Sequence, residues 1–199
     1  MRYLLTSSLY SDWFGFQRME SKTKQDIMDV LCKKPKEKTA QMQDGIDFEN
    51  EVRAACEHRP ISIVDPARLA CVTEVADVVR GGLWQEKVYK EISICGMDFL
   101  LYGLADVIKR DHIYDVKFTK KYEIGKYQNS IQHLSYMFCS NIPHFAYLPS
   151  DGQSVWREDY SLSDKTEVLL RGRLASMIEN IMADHDMKEA YLEHWRAKE

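Results

Sequence analysis

The chain has 199 residues, 45% of them hydrophobic and 29% charged, with a formal net charge of −4. That balance describes a soluble globular chain long enough to bury a sizeable core. It holds no apolar run near the roughly 20 residues needed to span a bilayer, and the mild acidity argues against a general nucleic-acid coat protein.

The first residues, Met1 to Thr6, lack a signal-peptide core. Five cysteines (Cys32, Cys56, Cys71, Cys95 and Cys139) without a Cys-x-x-Cys pair read as reduced thiols of a cytoplasmic protein, with no zinc framework. Thr6 to Leu31 is rich in aromatic and helix-forming residues and predicts one or two short helices, followed by a charged, proline-containing linker at Lys33–Lys38. Ala40 to His58 reads as an amphipathic helix with Ile46, Phe48, Val52, Ala55 and Cys56 at its apolar positions. Asp65-Pro66 opens a second helix through Val79, since proline is tolerated at a first helical position, and Gly81-Gly82 ends it.

Trp84–Cys95 and Met97–Ile108 follow as paired strands around Gly96, and His112–Phe118 returns after a turn at Arg110-Asp111. A helix is expected from Lys126 to Cys139, then strands Phe145–Leu148 and Val155–Tyr160 joined at Asp151-Gly152. Ser163 or Asp164 caps a long last helix with Val168, Leu169, Leu174, Met177, Ile178 and Ile181 at helical spacing. The expected fold is α/β (α+β), a central mixed β-sheet flanked by helices. One domain, 1–199, divides into a helical elaboration (1–39), a core (40–160) and a C-terminal helix (161–199).

Chemistry concentrates on the third and second strands before the middle helix. Gly103-Leu-Ala-Asp106 and Asp115-Val-Lys117 sit on the two arms of a hairpin. Alternation puts Asp115 and Lys117 on one face, and antiparallel pairing brings Asp106 near their level. Two carboxylates held that close repel unless a positive charge separates them, and a hard divalent cation meets that demand. Acid-x-Lys alone is weak: it occurs three times here, at Glu20, Asp115 and Asp186, about as often as chance gives, and only the Asp115 copy lies on a strand. Lys109 to Lys126, including Lys120 and Lys121, carries six basic residues against three acidic ones, a compensation that a polyanionic substrate would require.

Three further positions have a bland and a chemical reading. Glu49, in Gly45-Ile-Asp-Phe-Glu49, is a solvent carboxylate on composition alone, or a third acid turned toward the sheet. Glu91, on the strand before the hairpin, shares that ambiguity. Gln132 and Tyr136 occupy one face of a helix at i, i+4 spacing, where a tyrosine is commonly an interface residue.

In this order, Gly-x-x-Phe-Glu, strand Glu, Gly-x-x-Asp, Asp-x-Lys and Gln-x-x-x-Tyr, the set resembles the RecB-like branch of the PD-(D/E)XK nuclease superfamily, which includes phage-type exonucleases. The resemblance spans Gly45 to Tyr136. It implies a restriction-endonuclease-like core and a Mg²⁺- or Mn²⁺-dependent deoxyribonuclease acting on DNA, an exonuclease of phage or mobile-element recombination or processing. It further implies a bacterial or phage-infected cytosol and leaves room for a homo-oligomer or a recombination partner protein. By it, Asp106, Asp115 and the Val116 carbonyl bind metal, Glu49 completes the set, and Glu91 is a less certain metal-side carboxylate. Lys117 orients or helps deprotonate the attacking water, Gln132 and Tyr136 steady the substrate or the metal-bound waters, and Lys120 and Lys121 bind the substrate. Relatives with an iron–sulfur cluster place three grouped cysteines after the core, and none follows Cys139, so no cluster is expected. Two other readings compete: a catalytically idle nucleic-acid-binding or assembly module on the same fold, and an ordinary α/β domain with a charged hairpin.

Overall fold

The spine of the molecule is a long hairpin. In the computed structural model, which describes residues 1–18 and 22–197, a strand Leu83–Ile94 pairs antiparallel with a strand Met97–Lys109. Their two-residue connection, Cys95-Gly96, has both residues at positive φ (51° and 75°), the geometry whose twist matches the flanking strands. In chain order the strands are β1 (Tyr3–Thr6), β2 (Leu83–Ile94), β3 (Met97–Lys109), β4 (His112–Phe118), β5 (His144–Ser150) and β6 (Glu158–Ser161). The helices are α1 (Ser7–Gln17), α2 (Lys24–Leu31), α3 (Ala40–Cys56), α4 (Pro66–Val79), α5 (Gln132–Ser140), α6 (Asp164–Ala183) and α7 (His185–His194).

The far edge of β3 is shared between two strands. β1 lies parallel to Phe99–Tyr102, while β4 lies antiparallel to Val107–Lys109. Between them, residues 103–106 have no strand partner on that edge among the described residues. β4 continues parallel to β5, and β6 closes antiparallel on β5. The sheet is therefore mixed and flanked by helices, as expected, and it forks at the Gly103–Asp106 segment.

Each face of the sheet has its own core. Phe48 and Val52 of α3 and Val72, Val75 and Val79 of α4 pack with Val107, Tyr114, Val116 and Leu148. On the other face Tyr136 and Met137 of α5 pack with Val88, Ala105, Ile113 and Phe145. A third cluster joins β1, α1, α2, α6 and α7 through Leu5, Trp13, Leu31, Leu174 and Tyr191.

Three differences from expectation have identifiable physical causes. The 1–39 segment contributes a strand as well as helices: β1 is four residues long and its partner is more than 90 residues away, so no local alternation marks it. Residues 19–21, inside the expected helical stretch, lie outside the described residues. The middle helix starts at Gln132, not Lys126. Gly125 has a φ of 80°, and Lys126 is tied back by its ammonium to the Thr119 hydroxyl and the Lys121 carbonyl. The C-terminal helix is two helices, broken at Asp184, whose carboxylate accepts from the Met187 N–H at 3.1 Å and caps α7. Among the described residues, no helix is long and apolar enough to cross a membrane.

Candidate active site

At the fork in the sheet a ring packs directly on the β3 backbone. A Cβ built at Gly103 would lie 2.1 Å from Cε1 of Tyr136, so glycine alone lets α5 approach β3 this closely. The Tyr136 hydroxyl donates to the Leu104 carbonyl at 3.1 Å, satisfying an acceptor on the edge where strand pairing is interrupted. The ring is 5% exposed, which gives Tyr136 the role of holding the β3 backbone in place.

Two residues on, the Asp106 carboxylate accepts from the Val116 N–H at 3.0 Å. A side chain thus substitutes for the ladder bond that β3 and β4 stop making beyond Val107 and Tyr114. On β4, Asp115 is fully buried. Its Oδ1 accepts from the Gln132 amide and its Oδ2 lies 2.6 Å from the Lys117 ammonium. Burial pushes the Asp106 carboxyl well above the ordinary carboxylate range, and the neighbouring Asp115 adds to that rise. Asp115 is also raised by burial, against the opposing pull of Lys117 and Gln132 and a hydrogen-bonding contact with Asp106. For Lys117, burial works against the charge, but Asp115 and Asp106 outweigh it and hold the ammonium above its usual pKa.

Glu49 enters from α3. It is half-buried, and its Oε1 accepts from Nε2 of Gln85 at 2.6 Å. Burial and then the charge of Asp115 raise its pKa, while Lys117 and Gln85 oppose the rise. Asp115 and Lys117 are among the charges that act on Glu49, and Glu49 adds to the rise at Asp106. Glu91 stands elsewhere. It pairs with Leu100, six positions along β3 from Asp106, about 20 Å at strand rise. Its side chain is 68% exposed and forms an ion pair with Arg2. The β2 residue beside the acids is Gln85, which sequence reading passed over. Counting equal steps back from the Gly96 turn would have placed Gln85 across from Asp106 and Glu91 across from Leu100.

Lys120 and Lys121 lie on the loop after β4 and are exposed; Lys121 is paired with Glu123 at 2.7 Å. A cavity of about 360 Å³ is lined by Lys117, Gln132, Tyr136 and by Ser7, Ser8 and Ser11 of α1, while Asp106, Asp115 and Glu49 are not among its lining residues.

Among the described residues, no three His, Cys, Asp or Glu side chains form a ready-made metal cluster. The donor chemistry nevertheless suits a hard cation. The buried Asp115 and the partly buried Asp106 act on each other, and Asp115 Oδ2 is held by the Lys117 ammonium at 2.6 Å. Mg²⁺ uses few protein carboxylates and keeps its waters.

No family model matches the chain, and no curated protein matches it in sequence. Solved structures do match in shape. The alkaline exonuclease LHK-Exo from Laribacter hongkongensis aligns with a TM-score of 0.53 at 14% identity, over 95% of this chain and 92% of that one. LHK-Exo in complex with dAMP gives a TM-score of 0.54 at 13% identity over the same shares. The chain shares the fold of LHK-Exo. SSO0001 matches at a TM-score of 0.46 and 11% identity, over 83% of this chain and 89% of that one.

Proposed function

We propose that the chain is a Mg²⁺- or Mn²⁺-dependent nuclease that hydrolyses DNA phosphodiester bonds, acting as an exonuclease in phage or mobile-element DNA processing. The observation that carries this reading is the contact of Lys117 with the buried Asp115 at 2.6 Å, beside an Asp106 whose carboxyl Asp115 helps to raise, at the fork of the sheet. A purely structural site would gain little from placing Asp106 where burial and the charge of Asp115 both push its carboxyl up. The fold shared with LHK-Exo supports the same reading.

Asp106, Asp115 and the Val116 carbonyl would hold the metal, with Glu49 completing the donor set. A bound divalent ion supplies charge neutralisation for an anionic phosphodiester and lowers the pKa of the attacking water. Gln132 keeps the Asp115 carboxylate oriented through its amide. Lys117 is kept protonated by the two acids, so it orients the nucleophilic water or contacts a phosphate oxygen, and it does not begin as a general base. Ser7, Ser8 and Ser11 line the same cavity as Lys117, and serine hydroxyls there would suit a phosphate group of the bound strand.

End-labelled linear DNA and closed circular DNA, incubated with Mg²⁺, Mn²⁺ or a chelator, test the proposal. Metal-dependent release of nucleotides from linear DNA with circles spared is the expected result. Nicked circles would make the enzyme an endonuclease. DNA that is bound and left whole in both metals would leave an idle binding module.

A further inference from the structure

Gln85 is the one position of β2 between Leu83 and Ile94 without a partner in an otherwise continuous ladder with β3. By that register it stands across from Asp106. Its φ is 56°. The other non-glycine residues at positive φ among those described, Lys33, His58, Cys95, Arg110 and Asn141, all lie in turns or at helix ends. A glutamine in the left-handed region inside a strand carries a local strain that its surroundings must impose.

The same place is where the hairpin changes face. Trp84 and Val107 pack with the α3 and α4 core, whereas Val88 and Ala105 pack on the α5 side. Regular alternation would put residues four or two apart on one face. The face change accounts for an unusual backbone at Gln85, but not for the glutamine. Glycine adopts that conformation at no steric cost, and asparagine at less cost than a longer side chain. What glutamine adds is reach: its amide spans from β2 to α3 and donates to Oε1 of Glu49 at 2.6 Å.

We propose that Gln85 is a positioning residue that holds the Glu49 carboxylate toward the Asp106–Asp115 pair, so that Glu49 serves the metal site. This rests on the metal-dependent nuclease reading. One amide hydrogen bond occupies one lone pair of Glu49 Oε1 and leaves the second oxygen open. Groups that orient a ligand in this way typically contribute 10–100-fold in metal affinity. The strained backbone is the local cost of placing that donor opposite Asp106.

The test is Mn²⁺ binding to the purified full chain, without DNA, by electron paramagnetic resonance of free Mn²⁺. Thermal unfolding in chelator is recorded alongside. Gln85→Gly relieves the backbone and removes the donor; Gln85→Met keeps the strain and the length but cannot donate. Both are expected to bind Mn²⁺ at least about 10-fold more weakly, with Gln85→Gly melting no lower than wild type. Glu49→Gln should weaken binding, and adding Gln85→Met to it should weaken binding little further, because the two act as a unit. Wild-type affinity in either Gln85 variant, or independent additive losses in the double variant, would overturn the assignment while the nuclease reading stands. Wild-type protein that binds no Mn²⁺ would overturn both.

Discussion

Lys117 is half-buried and charged, and its charge is set by its neighbours. Asp115 contacts it at 2.6 Å, and both acids raise its pKa against the effect of burial. Removing the ammonium while leaving the carboxylates separates chemistry from metal binding. Lys117→Ala is expected to retain Mn²⁺ binding and lose cleavage by at least about 100-fold, the usual scale for a group acting on the reacting proton. DNA affinity should weaken, with the salt dependence shallower by about one phosphate contact. Gel-shift titrations over a salt series and single-turnover cleavage read the two effects separately. Cleavage at the wild-type rate would remove Lys117 from the mechanism.

At the level of elements, α5 decides how the site is held. Its Tyr136 ring occupies the space that a side chain at position 103 would need. Gly103→Ala should therefore cost about 1–3 kcal/mol as an overpacking change, a melting-temperature drop of roughly 2–12 °C for a domain of this size. Tyr136→Phe keeps the ring and loses the hydroxyl that bonds the Leu104 carbonyl, so its drop should be smaller. The reverse order would show that the ring is not what requires the glycine.

The same helix buries His133, stacked on Tyr160 with centroids 3.8 Å apart. Burial lowers its pKa to about 3, whereas an unfolded histidine titrates near 6.5. The unfolded chain takes a proton that the folded one refuses, so stability falls as pH drops from about 6.5 toward 3, by up to ~1.4 kcal/mol per unit. His133→Phe keeps a stacked ring and removes the titration. Its urea midpoint should lose less than that of wild type between pH 6.5 and 4, and an identical acid slope would contradict the assignment.

At the scale of the whole molecule, the candidate site is assembled from both faces of the sheet. Glu49 comes from α3, Asp115, Lys117 and Gln132 from β4 and α5, and Asp106 from the point where β3 loses its partner. Without a cation the two acids strain this assembly. Burial and Asp115 raise the Asp106 pKa, so the stability linked to its protonated form is present in acid and is lost as pH rises through the raised value. Near pH 7.5 in chelator, Asp106→Asn should melt higher than wild type, since a neutral amide oxygen can still accept from the Val116 N–H. Added Mn²⁺ should raise the wild-type melting temperature by ligand linkage and leave the variant unmoved. Scanning calorimetry with and without Mn²⁺ reads both, and an Asp106→Asn protein stabilised by Mn²⁺ as strongly as wild type would exclude Asp106 from the metal set.

Local pattern determined much of this protein. β4 runs from His112 to Phe118 as its alternation indicates, α4 starts at the proline that proline chemistry allows there, and α6 starts after Ser163 with a capping box to Thr166. Asp106, Asp115 and Lys117 could be grouped from strand period and a turn because a hairpin joins neighbours in sequence. Helical spacing plus the resemblance single out Gln132, but its bond to Asp115 is a contact the sequence does not indicate. The rest depended on contacts that no local rule encodes. β1 is a strand only because β3 offers it an edge more than 90 residues away. Glu49 meets Gln85 across 36 positions of sequence, a contact that only the packing of α3 supplies. Glu91 and Gln85 share one strand, and only the register against β3 separates the residue beside the acids from the one at the far end. Nor does sequence period foresee a glutamine at a φ of 56° within a strand, because that conformation is imposed by packing on both faces of the sheet and runs against the residue's own preference.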